Sequence, residues 1–297
     1  MSRGKQDVLS RFGKGIILFD GAMGTMLLAA GFPPGECPER WNVDHPEKVK
    51  GIHEMYREVG AMVLETNTFG GNRKKLDRFE LGDRVREFNI AGARLAREVA
   101  GESLLVAGSM GPTGEFMEPL GSLTRGLAFE IFSEQARALE EGGADIICIE
   151  TMSDLDEAQV ALDAAKASTH LPVMCLMTFE ASGRTIMGVS PGDAARVLST
   201  RGAIALGANC SSGPGDMIRV VREMATVTGL PIAAIPNAGL PQLVDGATVY
   251  SEQPESMAES MMKLIEAGAS IIGGCCGTTP EHIRAMASRM SRYGDRA

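Results

Sequence analysis

The chain has 297 residues and a net charge of −9, with 38 acidic against 29 basic side chains. Its 44% apolar and 23% charged content is that of an ordinary globular protein, which excludes a disordered chain, a collagen and a coiled coil. No apolar run approaches the ~18 residues of a membrane span, and the acidic balance argues against nucleic acid as the main partner.

The first fifteen residues, MSRGKQDVLSRFGKG, contain no apolar h-region. No secretory signal is visible, so a cytoplasmic setting with reduced thiols is expected. Short apolar, β-rich runs then alternate with longer amphipathic runs. Strands are expected over 16–20, 62–67, 104–110, 146–151, 173–179, 203–210, 232–237 and 270–276. Helices are expected near 46–60, 83–100, 126–142, 154–168, 191–201, 215–228, 254–267 and 280–293. One junction recurs: Gly60-Ala61, Gly143-Ala144, Gly202-Ala203 and Gly268-Ala269 each stand between a helix and the next strand. Glycine there supplies a left-handed C-cap at low steric cost. Pro191, Pro214 and Pro280 fall at helix starts, where a missing N–H costs nothing.

Near-continuous apolar strands imply a parallel sheet covered on both faces. Eight strand–helix units fit a single (β/α)8 barrel, read here as one domain over 1–297 with no low-complexity linker. An open doubly wound sheet would want G-x-G-x-x-G after the first strand. The chain offers Asp20-Gly21-Ala22-Met23-Gly24-Thr25, which does not match.

Barrel active sites lie at the C-terminal ends of the strands. Those positions hold Asp20, Glu65 with Asn67, Glu150, Asn209 with Cys210, Asn237, and Cys275 with Cys276. Three carboxylates and three thiols are thus expected on one rim, while the strand starts offer no such set. That asymmetry points to an enzyme. Carboxylates after apolar strands are costly unless partnered, so Glu65 and Glu150 fit either a ligand contact or a salt bridge.

Adjacent residues of a regular strand face opposite ways, so Cys275 and Cys276 converge only if the backbone turns, and Gly273, Gly274 and Gly277 permit a turn. With Cys210 they make three thiols, the ligand count of an open, catalytic zinc site. Spacing alone leaves a second reading open, because free cysteine also packs as a small hydrophobe. Cys148 and Cys175, amid Ile, Leu and Met, read as core residues, and Cys37 as a loop thiol. His45, His53 and His170 read as structural or surface residues.

The motifs together resemble the homocysteine S-methyltransferase family, and within it the N-terminal homocysteine-binding barrel of the cobalamin-dependent methionine synthases. The segments are Asp20-Gly21-Ala22-Met23-Gly24-Thr25, Glu65-Thr66-Asn67-Thr68-Phe69-Gly70, Ile149-Glu150-Thr151-Met152, Gly207-Ala208-Asn209-Cys210, Pro236-Asn237-Ala238-Gly239 and Gly273-Gly274-Cys275-Cys276-Gly277. The resemblance implies Zn²⁺ on Cys210, Cys275 and Cys276, and a homocysteine amino group held by Asp20 and Glu150. It implies a carboxylate near the amides of Gly24 and Thr25, with Glu65 and Asn237 as further substrate contacts. Zinc-bound homocysteine thiolate would then attack a methyl group to give methionine.

The expected donor is methylcobalamin supplied by a separate corrinoid protein or domain, since no Asp-x-His-x-x-Gly cobalamin segment stands in this chain. Betaine, S-methylmethionine or another small donor is the alternative. Two further readings stay open: a non-catalytic homocysteine- or metal-binding module that docks on a corrinoid partner, and a (β/α)8 lyase using Glu150 as base.

Overall fold

The computed structural model describes residues 9–10, 12–210, 213–244 and 247–294. Ten strands occur among them: β1 (Ile17–Leu18), β2 (Val63–Glu65), β3 (Leu105–Met110), β4 (Ile146–Met152), β5 (Val173–Met177), β6 (Ala205–Asn209), β7 (Ile232–Ile235), β8 (Pro241–Val244), β9 (Ala247–Tyr250) and β10 (Ala269–Ile272). Eight form one sheet in the order β1-β10-β7-β6-β5-β4-β3-β2, every neighbouring pair parallel. A parallel bridge between Phe19 and Val63 brings β1 to β2. Met62 N–H donates to Leu18 O (2.8 Å) and Asp20 N–H to Val63 O (3.1 Å), which closes the sheet into a (β/α)8 barrel.

All eight expected strands and all eight expected helices are present, with ends shifted by a few residues. Gly60, Gly143, Gly202 and Gly268 all have positive φ, as the junction pattern required. The strand residues alternate as the pleat demands. Ile17, Phe19, Val63, Leu105, Ile146, Met174 and Ile271 fill the barrel interior. Leu18, Leu64, Val106, Ile147, Val173 and Ile272 pack outward against the helices. Cys148 belongs to the inner layer and Cys175 to the outer one, both fully buried.

Two features go beyond the sequence reading. The connection from β1 to the helix Pro46–Glu58 contains a helix, Met23–Ala29, and short turns at Pro38–Arg40 and Trp41–Asp44. The connection after β7 contains the antiparallel pair β8–β9. Among the described residues no helix is long and apolar enough to cross a membrane.

Candidate metal and substrate site

β6 and β10 flank β7 in the sheet, and the residues that follow them bring the thiols together. Cys210 leaves β6 with φ of 60°, its N–H held by Ile235 O of β7 at 3.1 Å. The chain leaves β10 through Gly273 and Gly274. Cys275 N–H donates to Pro236 O (2.8 Å), and Cys276 O accepts from Ala238 N–H (2.9 Å). Gly277 has φ of 81°, and a Cβ there would fall 2.2 Å from the Tyr250 ring, so only glycine completes this turn. Its N–H donates to Thr25 Oγ1 at 2.9 Å.

The turn does what adjacency in a strand forbids. Cys210 Sγ lies 3.9 Å from Cys276 Sγ, which lies 4.0 Å from Cys275 Sγ, and the three fall within 4.8 Å of one another. The edge of a tetrahedron with zinc–sulfur bonds of 2.3 Å is about 3.8 Å, so this donor set fits Zn²⁺ and leaves a fourth corner open. With thiols alone, ionisation is suppressed. Hydrogen bonds with Cys210 and Cys276, then burial, hold Cys275 well above the ordinary thiol range, and Cys276 is pushed up to about 11, chiefly by Cys210. Three such groups ionise together only around a cation.

Buried carboxylates adjoin the thiols, and Glu150 feels the charge of Cys210. Asp20 is 2% exposed; its Oδ2 accepts from Glu65 N–H at 2.9 Å, and its Oδ1 has no partner. Burial pushes its carboxyl well above the usual range, with Glu150 adding to the rise. Glu65 is raised by burial, Glu150 and Asp20, against a hydrogen bond with Cys148, and its Oε1 also lacks a partner. Glu150 is braced at both oxygens, by the Ser109 hydroxyl at Oε1 and by Asn209 Nδ2 at Oε2 (3.0 Å). Burial pushes it up to about 7. Unpartnered buried carboxylate oxygens are expensive, so Asp20 Oδ1 and Glu65 Oε1 call for a cation or donor.

A cavity of about 320 Å³ joins the two sets. Glu65, Glu150, Cys210, Cys275 and Cys276 line it, as do Gly24 and Thr25 at the start of the helix Met23–Ala29. Asp20 and Asn237 do not line it. Asp20 lies behind the wall, bonded to the Glu65 amide, and Asn237 is buried at the end of β7 with its Oδ1 unpartnered. Sequence reasoning missed a fourth acid, Glu39, which also lines the cavity. Its Oε1 accepts from Gly70 N–H (2.6 Å) and its Oε2 from the Cys37 thiol (3.3 Å). Burial and Glu39 push Cys37 up to about 12, so this loop thiol is buried and its ionisation disfavoured. Glu39 comes from a connection rather than a strand end, so the strand-end rule could not find it. Among the described residues no lysine, arginine or histidine lines the cavity. His53 is fully buried, and His170 is exposed.

A (β/α)8 barrel that gathers three thiols and buried acids around one cavity defines a barrel enzyme with a cysteine cluster able to hold a metal ion. More particularly, the chain belongs to the homocysteine S-methyltransferase family, whose model matches residues 17–290. It is 34% identical over 307 residues to a methionine synthase of Mycobacterium leprae, covering 97% of this chain and 25% of that protein. It is 35% identical over 303 residues to a methionine synthase of Mycobacterium tuberculosis, covering 96% and 25%. The chain thus spans about a quarter of the length of these relatives. In fold it is similar to the homocysteine methyltransferase MmuM of Escherichia coli. The metallated form has TM-score 0.80 and 24% identity, over 93% of this chain and 96% of that one; the apo form has 0.74 and 25%, over 97% and 98%.

Proposed function

We propose that this chain, acting as one domain, methylates the sulfur of homocysteine to give methionine. Cys210, Cys275 and Cys276 would hold zinc, and the methyl group would come from a methyl-corrinoid on a separate protein or domain. The observation behind this reading is the convergence of three thiols within 4.8 Å in one cavity with the buried carboxylates of Glu65 and Glu150. A free alkyl thiol is only a few per cent ionised at pH 7, and bound zinc would supply the Lewis acidity that favours its thiolate.

The remaining work falls to side chains. Glu65 Oε1 and Glu150, the latter fixed by Ser109 and Asn209, line the cavity and would receive an ammonium group, and Asp20 would add its negative charge from behind the wall. An ammonium group repays the burial of these acids, which a neutral thiol cannot do, so the site selects an α-amino acid over a simple thiol. The amides of Gly24 and Thr25 lie in a first helical turn, where N–H groups have no intrahelical acceptor, and would receive the carboxylate. Asn237 stands as a further contact beside Ala238, whose N–H holds the cysteine turn. A cytoplasmic setting accords with thiols that must stay reduced.

The likeness to methionine synthases supports the corrinoid donor. One observation favours a small donor such as betaine or S-methylmethionine: the E. coli homocysteine methyltransferase chain is matched over 96% and 98% of its length, whereas the methionine synthases are matched over 25% of theirs. Single-turnover mixing of the zinc-loaded protein with homocysteine and methylcobalamin, free or on a corrinoid protein, separates the readings. Methionine should form as the alkyl-cobalt absorbance is lost. Methionine from a small donor alone would move the assignment to the second reading. None from any donor, with zinc and homocysteine bound, would leave a binding module. Turnover that survives Cys210→Ala would point to a lyase instead.

A further inference from the structure

Asn209, the last residue of β6, is 1% exposed, and its side chain makes three hydrogen bonds, all to the end of β4. Its Oδ1 accepts from Thr151 N–H (2.7 Å), and its Nδ2 donates to Thr151 Oγ1 (2.7 Å) and to Glu150 Oε2 (3.0 Å). The residues on either side of this contact are both unusual. Thr151 has φ of 58° and Cys210 has φ of 60°, left-handed conformations that a β-branched threonine and a cysteine rarely adopt.

The cause lies in the pairing of β4 with β5. The register runs Ile149 with Cys175 and resumes at Met152 with Met177, so Glu150 and Thr151 sit in an irregularity of the ladder. Such a bulge re-aims a side chain and leaves backbone groups without a strand partner. Here the Thr151 N–H is given to the Asn209 side chain, and Glu150 is turned into the cavity and bonded at the same carboxamide. Asn209 is joined by one peptide bond to Cys210, whose Sγ belongs to the thiol cluster.

We infer that Asn209 is a positioning residue that fixes the Glu150 carboxylate relative to the Cys210 sulfur, and so sets the separation at which an amino group and a thiol of one substrate are recognised together. This rests on the homocysteine reading above and adds to it the source of its amino-acid selectivity. A residue that only held Cys210 would affect every thiol alike. A residue that spans acid and thiol affects only substrates that use both.

The test compares homocysteine with 4-mercaptobutanoate, which lacks only the amino group, by calorimetric binding to the zinc-loaded full chain, with zinc content measured in parallel. Asn209→Leu is nearly isosteric but can neither donate to Glu150 Oε2 nor accept from Thr151 N–H. Asn209→Ala removes the same three bonds; should one of the two fail to fold, the other carries the test. The expected result is an unchanged zinc content, affinity for 4-mercaptobutanoate within about threefold of wild type, and a preference for homocysteine reduced at least about tenfold, the scale of one hydrogen bond to a charged group. In an Asn209→Leu background, Glu150→Gln should cost far less of that preference than it does in the wild type. An unchanged preference, additive effects of the two substitutions, or loss of zinc with equal weakening of both thiols would overturn the role. A wild-type protein that fails to distinguish the two thiols would overturn the homocysteine reading and this role with it, whereas discrimination that survives in the variants overturns the role alone.

Discussion

The acids Asp20, Glu65 and Glu150 and the thiols Cys210, Cys275 and Cys276 are held by different means. Two of the acids are propped by neighbouring groups in the absence of any ligand: Asp20 by the Glu65 amide, and Glu150 by Ser109 and Asn209. Burial raises the pKa of all three. The thiols are placed by backbone: a left-handed Cys210, the glycine turn after β10 and amide bonds to the neighbouring β7 segment. Their side chains meet mainly one another. The acid side is therefore prepared before a ligand arrives and should respond to change by degrees. The thiol side is a ligand set whose purpose depends on all three members, and should respond all or none.

The sharpest way to break this contrast is Cys276→Ala. Two thiolates do not make the open three-ligand site, so zinc content should fall from one per chain to near zero, and methyl transfer by at least about a thousandfold, with the circular dichroism of the barrel retained. Metal analysis beside a transfer assay checks it, and near-normal zinc in the variant would refute the ligand set. Asp20→Asn comes next. It keeps an acceptor for the Glu65 amide but removes the charge, so homocysteine should bind about 10–100-fold more weakly with zinc unchanged. Loss of zinc instead would place Asp20 on the wrong side of the comparison.

Glu150→Gln should weaken homocysteine about tenfold, and it adds a pH signature. With its carboxyl pushed up to about 7, Glu150 is mostly protonated at pH 6 and mostly ionised at pH 8. The ionised form attracts an ammonium group, so the wild-type dissociation constant should fall across that interval more steeply than the variant's. Parallel curves would mean that Glu150 does not meet the amino group. The smallest effect sharpens the boundary. Cys148 is a thiol on the acid side, hydrogen-bonded to Glu65 inside the barrel. Cys148→Ser keeps a donor there, so homocysteine affinity should change by less than about threefold and zinc content not at all.

The strands and helices were legible because their signals are local: unbroken apolar runs, and a glycine that only a left-handed cap demands. The thiols and Glu65, Glu150 and Asp20 were legible for a second reason, since in a barrel of parallel strands every strand terminus faces one way, and sequence position becomes spatial position. Where that rule does not reach, reading failed. Glu39 enters from a connection folded over the rim, and only the Gly70 amide and the Cys37 thiol, both supplied by tertiary contact, explain its burial. The β8–β9 pair was missed although Asp245-Gly246, a dipeptide common in hairpin turns, separates two β-rich runs. The bulge at Glu150 and Thr151 was invisible, because it depends on the partner strand and on the Asn209 side chain.

The seam between β1 and β2 has a consequence for ligand sensing. β1 is two residues long, and past the Phe19–Val63 bridge the Glu65 N–H turns to the Asp20 side chain, while the Asp20 carbonyl oxygen takes the Gly274 N–H. One carboxylate is thus both the last stitch of the barrel and the support behind Glu65, which lines the cavity. Any molecule that draws charge from Asp20 also changes the hold on a single backbone amide, and the deuterium uptake of Glu65 becomes a built-in reporter of occupancy.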